Sequence, residues 1–150
     1  MKILHPTDFS ECATQAEQLA VRLARALGAE LVLFQALVEA PLYGEGLLNI
    51  REAQKVYDAQ RKWAQETLEA RAGQIRKTEG IAVRWALDVG APFEEIVKAA
   101  GEERADMIVM GTHGRSGLNR LLLGSVAERV IRLASCPVVT VRQHEAESGP

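Results

Sequence analysis

The residues best suited to chemistry lie between Gly111 and Glu128. The segment reads Gly111-Thr112-His113-Gly114-Arg115-Ser116-Gly117 and runs on to Gly124-Ser125-Val126-Ala127-Glu128. Three glycines in seven residues let the backbone take positive φ and approach a ligand closely. Successive N–H groups in such a loop form an anion-binding concavity. Ser125 and Glu128 have the spacing of an S-x-x-E capping box, which starts a helix near Ser125. The N–H groups and dipole of that helix end favour phosphate. Between Gly111 and Ala127 the ionisable charges are Arg115 and Arg120, with His113 able to add a third. The loop is built to hold an anion.

A second candidate stands near the N-terminus, where Pro6-Thr7-Asp8 follows a short apolar run. In a parallel sheet this turn shares an edge with the glycine loop. A carboxylate at that edge suits ribose hydroxyls, or a divalent cation that bridges phosphates. Asp8 equally fits an Asx-turn or a helix-start cap beside Ser10. The chain has no G-x-x-x-x-G-K-[ST], no G-x-G-x-x-G after its first strand and no G-x-S-x-G. A Walker-type phosphate loop, the usual dinucleotide fingerprint and a hydrolase nucleophile elbow are therefore missing. No well-placed general base stands out, and no catalytic residue is assigned; His113, beside glycines, reads as a solvated turn residue.

These loops need strands and helices to position them. Lys2 to His5 reads as a strand stopped by Pro6. Ser10 caps a helix with Ala13, Ala16, Ala20, Leu23 and Leu27 at helical spacing and Gly28 as its stop. Leu31 to Leu37 is an apolar run of the kind covered on both faces of a sheet. After a loop over Glu39 to Gly46, residues 47–78 read as a long helix. Its apolar side holds Ile50, Ala53, Val56, Tyr57, Trp63, Ala64, Leu68, Ala72 and Ile75, with Tyr57 and Trp63 expected in the core. Ile81 to Val89 alternates like a strand, and Gly90-Ala91-Pro92 opens a helix carrying Phe93, Ile96, Val97 and Ala100. Met107–Met110 and Val138–Val141 are the last strands, with a helix from about Ser125 to Ala134 between them. This alternation predicts an α/β fold, a parallel sheet with helices on both faces.

At 150 residues the chain fits one domain. A net charge of −2 gives nucleic acid no overall attraction. No run approaches the ~18 apolar residues of a membrane span, and Pro6 breaks the N-terminal apolar stretch, so a cytoplasmic protein without membrane association is expected. Cys12 and Cys136 lie among apolar neighbours and read as small buried hydrophobes rather than a disulfide or zinc framework. Residues 143–150 are polar and read as a flexible tail.

Taken together, these features resemble the universal stress protein family. Its nucleotide-binding members carry G-x2-G-x9-G-[ST], and Gly111, Gly114, Gly124 and Ser125 match that spacing. Ile3-Leu4-His5-Pro6-Thr7-Asp8-Phe9-Ser10 resembles the family's first strand and turn. Gly124 to Val130 and Ser135-Cys136-Pro137-Val138-Val139 resemble its last helix and strand, so the likeness covers residues 1–142. The resemblance implies a single-domain, open five-stranded, Rossmann-like parallel sheet with the first and fourth strands adjacent. It implies adenine near Pro6, Thr7 and the backbone of Ala36, and ribose at Asp8 and Gly111, next to Met110. It places the phosphates at Gly114, Arg115, Gly124, Ser125 and Val126, commonly with Mg²⁺ or Mn²⁺, which Asp8 would help to hold. Near the end of the second strand, where relatives often carry a histidine and a valine, this chain has Gln35 and Ala36. The family usually dimerises through the last strand, here Val138, Val139 and Val141, an apolar edge that favours a homodimer. The implied function is an ATP-binding, stress-response switch that acts through an unidentified protein partner. A slow metal-dependent ATPase using Asp8, Arg115 and His113, and a dimeric structural partner with an empty site, are the alternatives.

Overall fold

Each apolar run pairs with another in the computed structural model, which describes residues 1–38, 50–114 and 123–143. The strands are β1 (Lys2–Pro6), β2 (Glu30–Leu37), β3 (Val83–Val89), β4 (Met107–Gly111) and β5 (Val138–Val141). Between them run α1 (Glu11–Leu27), α2 (Ile50–Glu79), α3 (Pro92–Glu102) and α4 (Ser125–Leu133). The strands form one sheet in the order β3-β2-β1-β4-β5, and every neighbouring pair is parallel. The α/β expectation, with the first and fourth strands side by side, is met.

Strand side chains alternate between faces, so the sheet builds two cores. Ile3, Leu31, Leu33 and Val109 pack with Ala20 and Ala24 of α1 and Leu68 and Ala72 of α2. Leu4, Val32, Phe34, Ile108 and Met110 face the other way, onto Ile96 and Ala100 of α3 and Ala127 and Val130 of α4. Both layers are continuous because β2, β1 and β4 are apolar on both faces, as central parallel strands must be. The helix α1 starts where expected: the Ser10 side chain accepts from the Ala13 N–H at 3.2 Å. It stops at Gly28, whose φ of 61° is a left-handed C-cap that a β-carbon would disfavour.

The long helix α2 departs from its expected apolar stripe. Only Ala64, Leu68, Ala72 and Ile75 are buried, whereas Ile50 is 76% and Trp63 50% exposed. The reason is length. Thirty helical residues span about 45 Å, against about 27 Å for the eight residues of β2. The N-terminal half of α2 therefore overshoots the sheet it packs on. Trp63 is consequently not a core residue; it meets Phe9 edge to face, with ring centroids 5.7 Å apart. Tyr57 is half-buried. Of the two cysteines, Cys12 is buried as expected and Cys136 only half-buried. The loop over Glu39–Gly46, residues 47–49, Arg115 to Leu122 and residues 144–150 lie outside the described residues.

Candidate functional site

The sheet order dictates where a site forms. From β1 the chain turns into α1 on one face of the sheet, whereas from β4 it turns toward α4 on the other. The strands are adjacent, so their outgoing loops diverge and leave a crevice at their C-terminal ends, the position where open α/β sheets hold ligands. A cavity of about 550 Å³ opens there.

The predicted residues converge on this cavity from separate elements. Pro6, Thr7 and Asp8 line it from the end of β1, and Ala36 from the end of β2. Met110, Gly111 and Gly114 contribute from β4 and its loop, and Gly124, Ser125 and Val126 from the start of α4. Arg115 lies outside the described residues. The cavity also has a wall that the sequence reading missed. Phe34 and Val38 join from β2 and its end, and Pro92 and Ile96 from α3. The available signal was Gly90-Ala91-Pro92, which opens α3 at the same sheet edge. One end of the cleft is thus apolar, and the other is lined by backbone and small polar groups.

At the polar end, α4 begins with Ser125 as its first helical residue. Gly124 is the N-cap and has no side chain to cap with, so the predicted Ser125–Glu128 capping box does not form. The Glu128 N–H instead bonds the Gly124 carbonyl at 2.9 Å, closing the first turn. Ser125, Val126 and Ala127 line the cavity, and their N–H groups come before the first intrahelical bond, the positions that a helix start leaves without an intrahelical partner. They carry the positive end of the helix dipole.

The glycines serve a different purpose from the one their spacing suggests. Neither Gly111 nor Gly114 has positive φ, and Gly124 has φ −64°. Each instead permits a close approach. A β-carbon on Gly111 would lie 2.8 Å from Cys12 Sγ, and on Gly114 2.7 Å from Asp8 Oδ2. One on Gly124 would lie 2.6 Å from the Thr112 carbonyl oxygen, to which the Gly124 N–H donates at 2.9 Å. Packing among the β1, β4 and α4 loops is therefore what excludes side chains.

Asp8 bridges these parts. Its Oδ1 accepts the Ser10 N–H at 2.9 Å, so the Asx-turn reading is realised. Its Oδ2 side faces Gly114. One carboxylate thus initiates α1 and lines the cleft. His113 also lines the cleft, with Nδ1 2.9 Å from the Thr112 hydroxyl. Asp8 is the one carboxylate among the described lining residues, and no cluster of three or more His, Cys, Asp or Glu suits a metal among the described residues. The described residues alone offer no metal cage. A single carboxylate does fit a Mg²⁺ held mainly by phosphate oxygens.

The arrangement has counterparts. The universal stress protein family model matches residues 1–142. A universal stress protein of Methanocaldococcus jannaschii is 35% identical over 149 residues, covering 97% of this chain and 84% of that protein. Among solved structures, a universal stress protein in complex with cAMP superposes with TM-score 0.64 at 26% identity, covering 96% of this chain and 98% of that one. The Archaeoglobus fulgidus universal stress protein in complex with dAMP superposes with TM-score 0.63 at 29% identity, covering 94% and 97%. With the fold and the sequence in agreement along nearly the whole chain, this protein belongs to the universal stress protein family.

Proposed function

We propose that the cleft binds an adenine nucleotide, ATP in the first instance, and that the protein works as a nucleotide-occupied switch in a stress response. The observation that carries this reading is the pairing of a helix N-terminus and a carboxylate across one cleft with an apolar far end. The phosphates would sit at the N–H groups of Ser125 and Val126 and against Gly114 and Gly124, with Arg115 adding charge. The ribose hydroxyls would donate to Asp8 beside Gly111 and Met110. The base would enter between Pro6, Thr7 and Ala36 on one side and Pro92 and Ile96 on the other.

Adenine selection would fall to the backbone of Ala36. The β1–β2 pairing ends at Pro6↔Phe34, and the Thr7 N–H closes it on the Phe34 carbonyl at 2.8 Å. The next β2 groups on that edge belong to Ala36, where β1 has already turned away. A donor and an acceptor side by side suit the Watson–Crick edge of adenine. A small side chain at Ala36 leaves those backbone groups in place. The cAMP and dAMP held by two structural neighbours share this base and a phosphate.

When bound with the nucleotide, Mg²⁺ or Mn²⁺ would neutralise phosphate charge, with Asp8 as its protein ligand. A homodimer through β5 is part of the proposal, because Val138, Val139 and Val141 sit half-buried on a strand that, among the described residues, pairs on one side only, with β4. A second reading, slow ATP hydrolysis, draws on Asp8 and His113 lining the same cleft.

Calorimetric titration of Mg²⁺-ATP into the wild type and Asp8→Ala tests the binding. Losing a hydrogen bond to a charged group should weaken affinity about 10- to 150-fold. No heat and no thermal shift with ATP, ADP or AMP would refute the reading. Multiple-turnover phosphate release that disappears in Asp8→Ala would favour the ATPase.

A further inference from the structure

Pro6 occupies an unusual place. Proline has no N–H to give to a ladder and is normally confined to edge strands, strand starts or bulges. Here it ends the central strand of five. The hydrogen-bond phase identifies the group it leaves without a donor. The Ile108 N–H bonds the Pro137 carbonyl at 2.9 Å, so Ile108 turns its amide groups toward β5 and Val109 turns its own toward β1. On β1, the Thr7 N–H points to β2, so the groups of residue 6 point to β4. Extending the Leu4↔Ile108 register by one residue sets His5 against Val109. The parallel ladder would then give the Val109 carbonyl the N–H of residue 6, which Pro6 lacks.

The pairing ends where this bond is missing. The β1–β4 ladder stops at Leu4↔Ile108, although β1 continues beside β2 to Pro6↔Phe34 and β4 beside β5 to Gly111↔Val141. The Val109 carbonyl is nevertheless satisfied. The fully buried His5 imidazole reaches it with Nδ1 at 2.8 Å. A carbonyl only accepts, so Nδ1 carries the hydrogen and Nε2 is the bare nitrogen.

We propose that His5 is a positioning residue for the cleft: its imidazole supplies the interstrand hydrogen bond that Pro6 cannot make and holds β1 against β4 where Thr7–Asp8 and Met110–Gly111 diverge. The exchange has a use. The prolyl ring gives the cleft a rigid apolar wall at residue 6, and the neighbouring side chain restores the lost bond from the opposite face of the sheet. Nε2 has no hydrogen-bond partner among the described residues, and neither has Gln35 Oε1 on the same face of β2. The imidazole is therefore held through one nitrogen, the one that spans the strands. Burial pushes its pKa down and keeps it in this neutral form, against the upward pull of the Val109 hydrogen bond and of the Glu17 and Asp8 charges, and together with the charge of Arg71 on α2.

The positioning role rests on the nucleotide reading of the cleft; the hydrogen bond itself does not. A double-mutant cycle of His5→Val, Pro6→Ala and the pair separates them, because an alanine at position 6 brings back the backbone donor. His5→Val should weaken Mg²⁺-ATP binding about tenfold when position 6 holds proline and less than about threefold when it holds alanine. The thermal midpoints should show the same asymmetry, and the backbone amide at position 6 should be protected from hydrogen exchange in the double variant. Equal cost of His5→Val in both backgrounds would overturn the proposal, since a cavity alone is indifferent to residue 6. If His5→Val fails to fold, nitrogen chemical shifts of the wild-type imidazole decide: hydrogen on Nδ1 is expected, and hydrogen on Nε2 alone would overturn the assignment. A wild-type chain that binds no nucleotide would remove the cleft reading and the positioning role with it. The stability cycle and the imidazole shifts would still report on the bond.

Discussion

Gly114→Ala separates a binding defect from a folding defect. The new β-carbon would stand 2.7 Å from Asp8 Oδ2, well inside the 3.4 Å at which ordinary contact begins. Asp8 does not simply swing away, because Oδ1 is engaged by the Ser10 N–H in the turn that sets up α1. Displacing it weakens that turn, worth about 0.5–1.5 kcal/mol, and withdraws the carboxylate from the ribose position. A hydrogen bond between ribose and a charged carboxylate contributes about 1.5–3 kcal/mol, so affinity for Mg²⁺-ATP should fall roughly 10- to 150-fold. Stability should change far less. Gly114 has no positive φ, so alanine also removes unfolded-chain entropy worth about 0.4–1 kcal/mol, which offsets the damaged turn. The midpoint of unfolding should stay within about 4 °C. Gly101→Ala is the control, because a β-carbon there meets nothing within 4 Å; its affinity should be unchanged. Calorimetric titrations and thermal scans of the three proteins suffice. A folded Gly114→Ala with wild-type affinity would refute the contact between Asp8 and Gly114 as part of the site.

Three further outcomes are expected. Gly124→Ala presses a β-carbon to 2.6 Å from the Thr112 backbone oxygen, which cannot rotate away; a loss of about 1–3 kcal/mol should show in denaturant unfolding of the nucleotide-free protein. Arg71→Met strands the buried Glu17 carboxylate, with which Arg71 now makes a close ion pair. Because Arg71 is itself 35% exposed, the cost should be about 2–3 kcal/mol, below the usual value for a fully buried pair, and Glu17→Gln in the same background should recover part of it. His5 has its pKa lowered in the fold, so its contribution to stability is complete above the ordinary histidine value of ~6.5 and is lost as pH falls below it. Unfolding between about pH 7.5 and about pH 5.5, a window around that value, should therefore show the wild type losing more stability than His5→Val/Pro6→Ala, which keeps Glu17, Arg71 and Asp8; parallel curves would exclude the histidine.

Much of this architecture was legible in the chain because it depends on local patterns. Ser10 and Gly28 bracket α1 through cap chemistry that acts within a few residues. The apolar runs locate the strands to within two residues, since central parallel strands need apolar side chains on both faces. The residues picked out around Asp8, Gly111 and Gly124 come to one cleft, because β1 and β4 are neighbours whose exits diverge. What escaped depends on distance in space. Ile50 and Trp63 continue an apolar helical stripe, yet nothing in that stripe says that the sheet ends before the helix does. The glycines suggested positive φ, whereas their constraint comes from Cys12, Asp8 and Thr112, on other turns. Ser125 has a capping spacing, but the chain enters α4 one residue earlier, through Gly124. The bond between His5 and Val109 spans 104 residues and depends on the strand order that brings β4 beside β1.

The most direct measurement is to denature the purified protein and identify what it releases by chromatography and mass. The expected result is an adenine nucleotide approaching one per chain, or a protein that is emptied in preparation but regains a clear thermal shift with Mg²⁺-ATP. A chain that releases no nucleotide and gains no stability from ATP, ADP or AMP would contradict the nucleotide-binding reading.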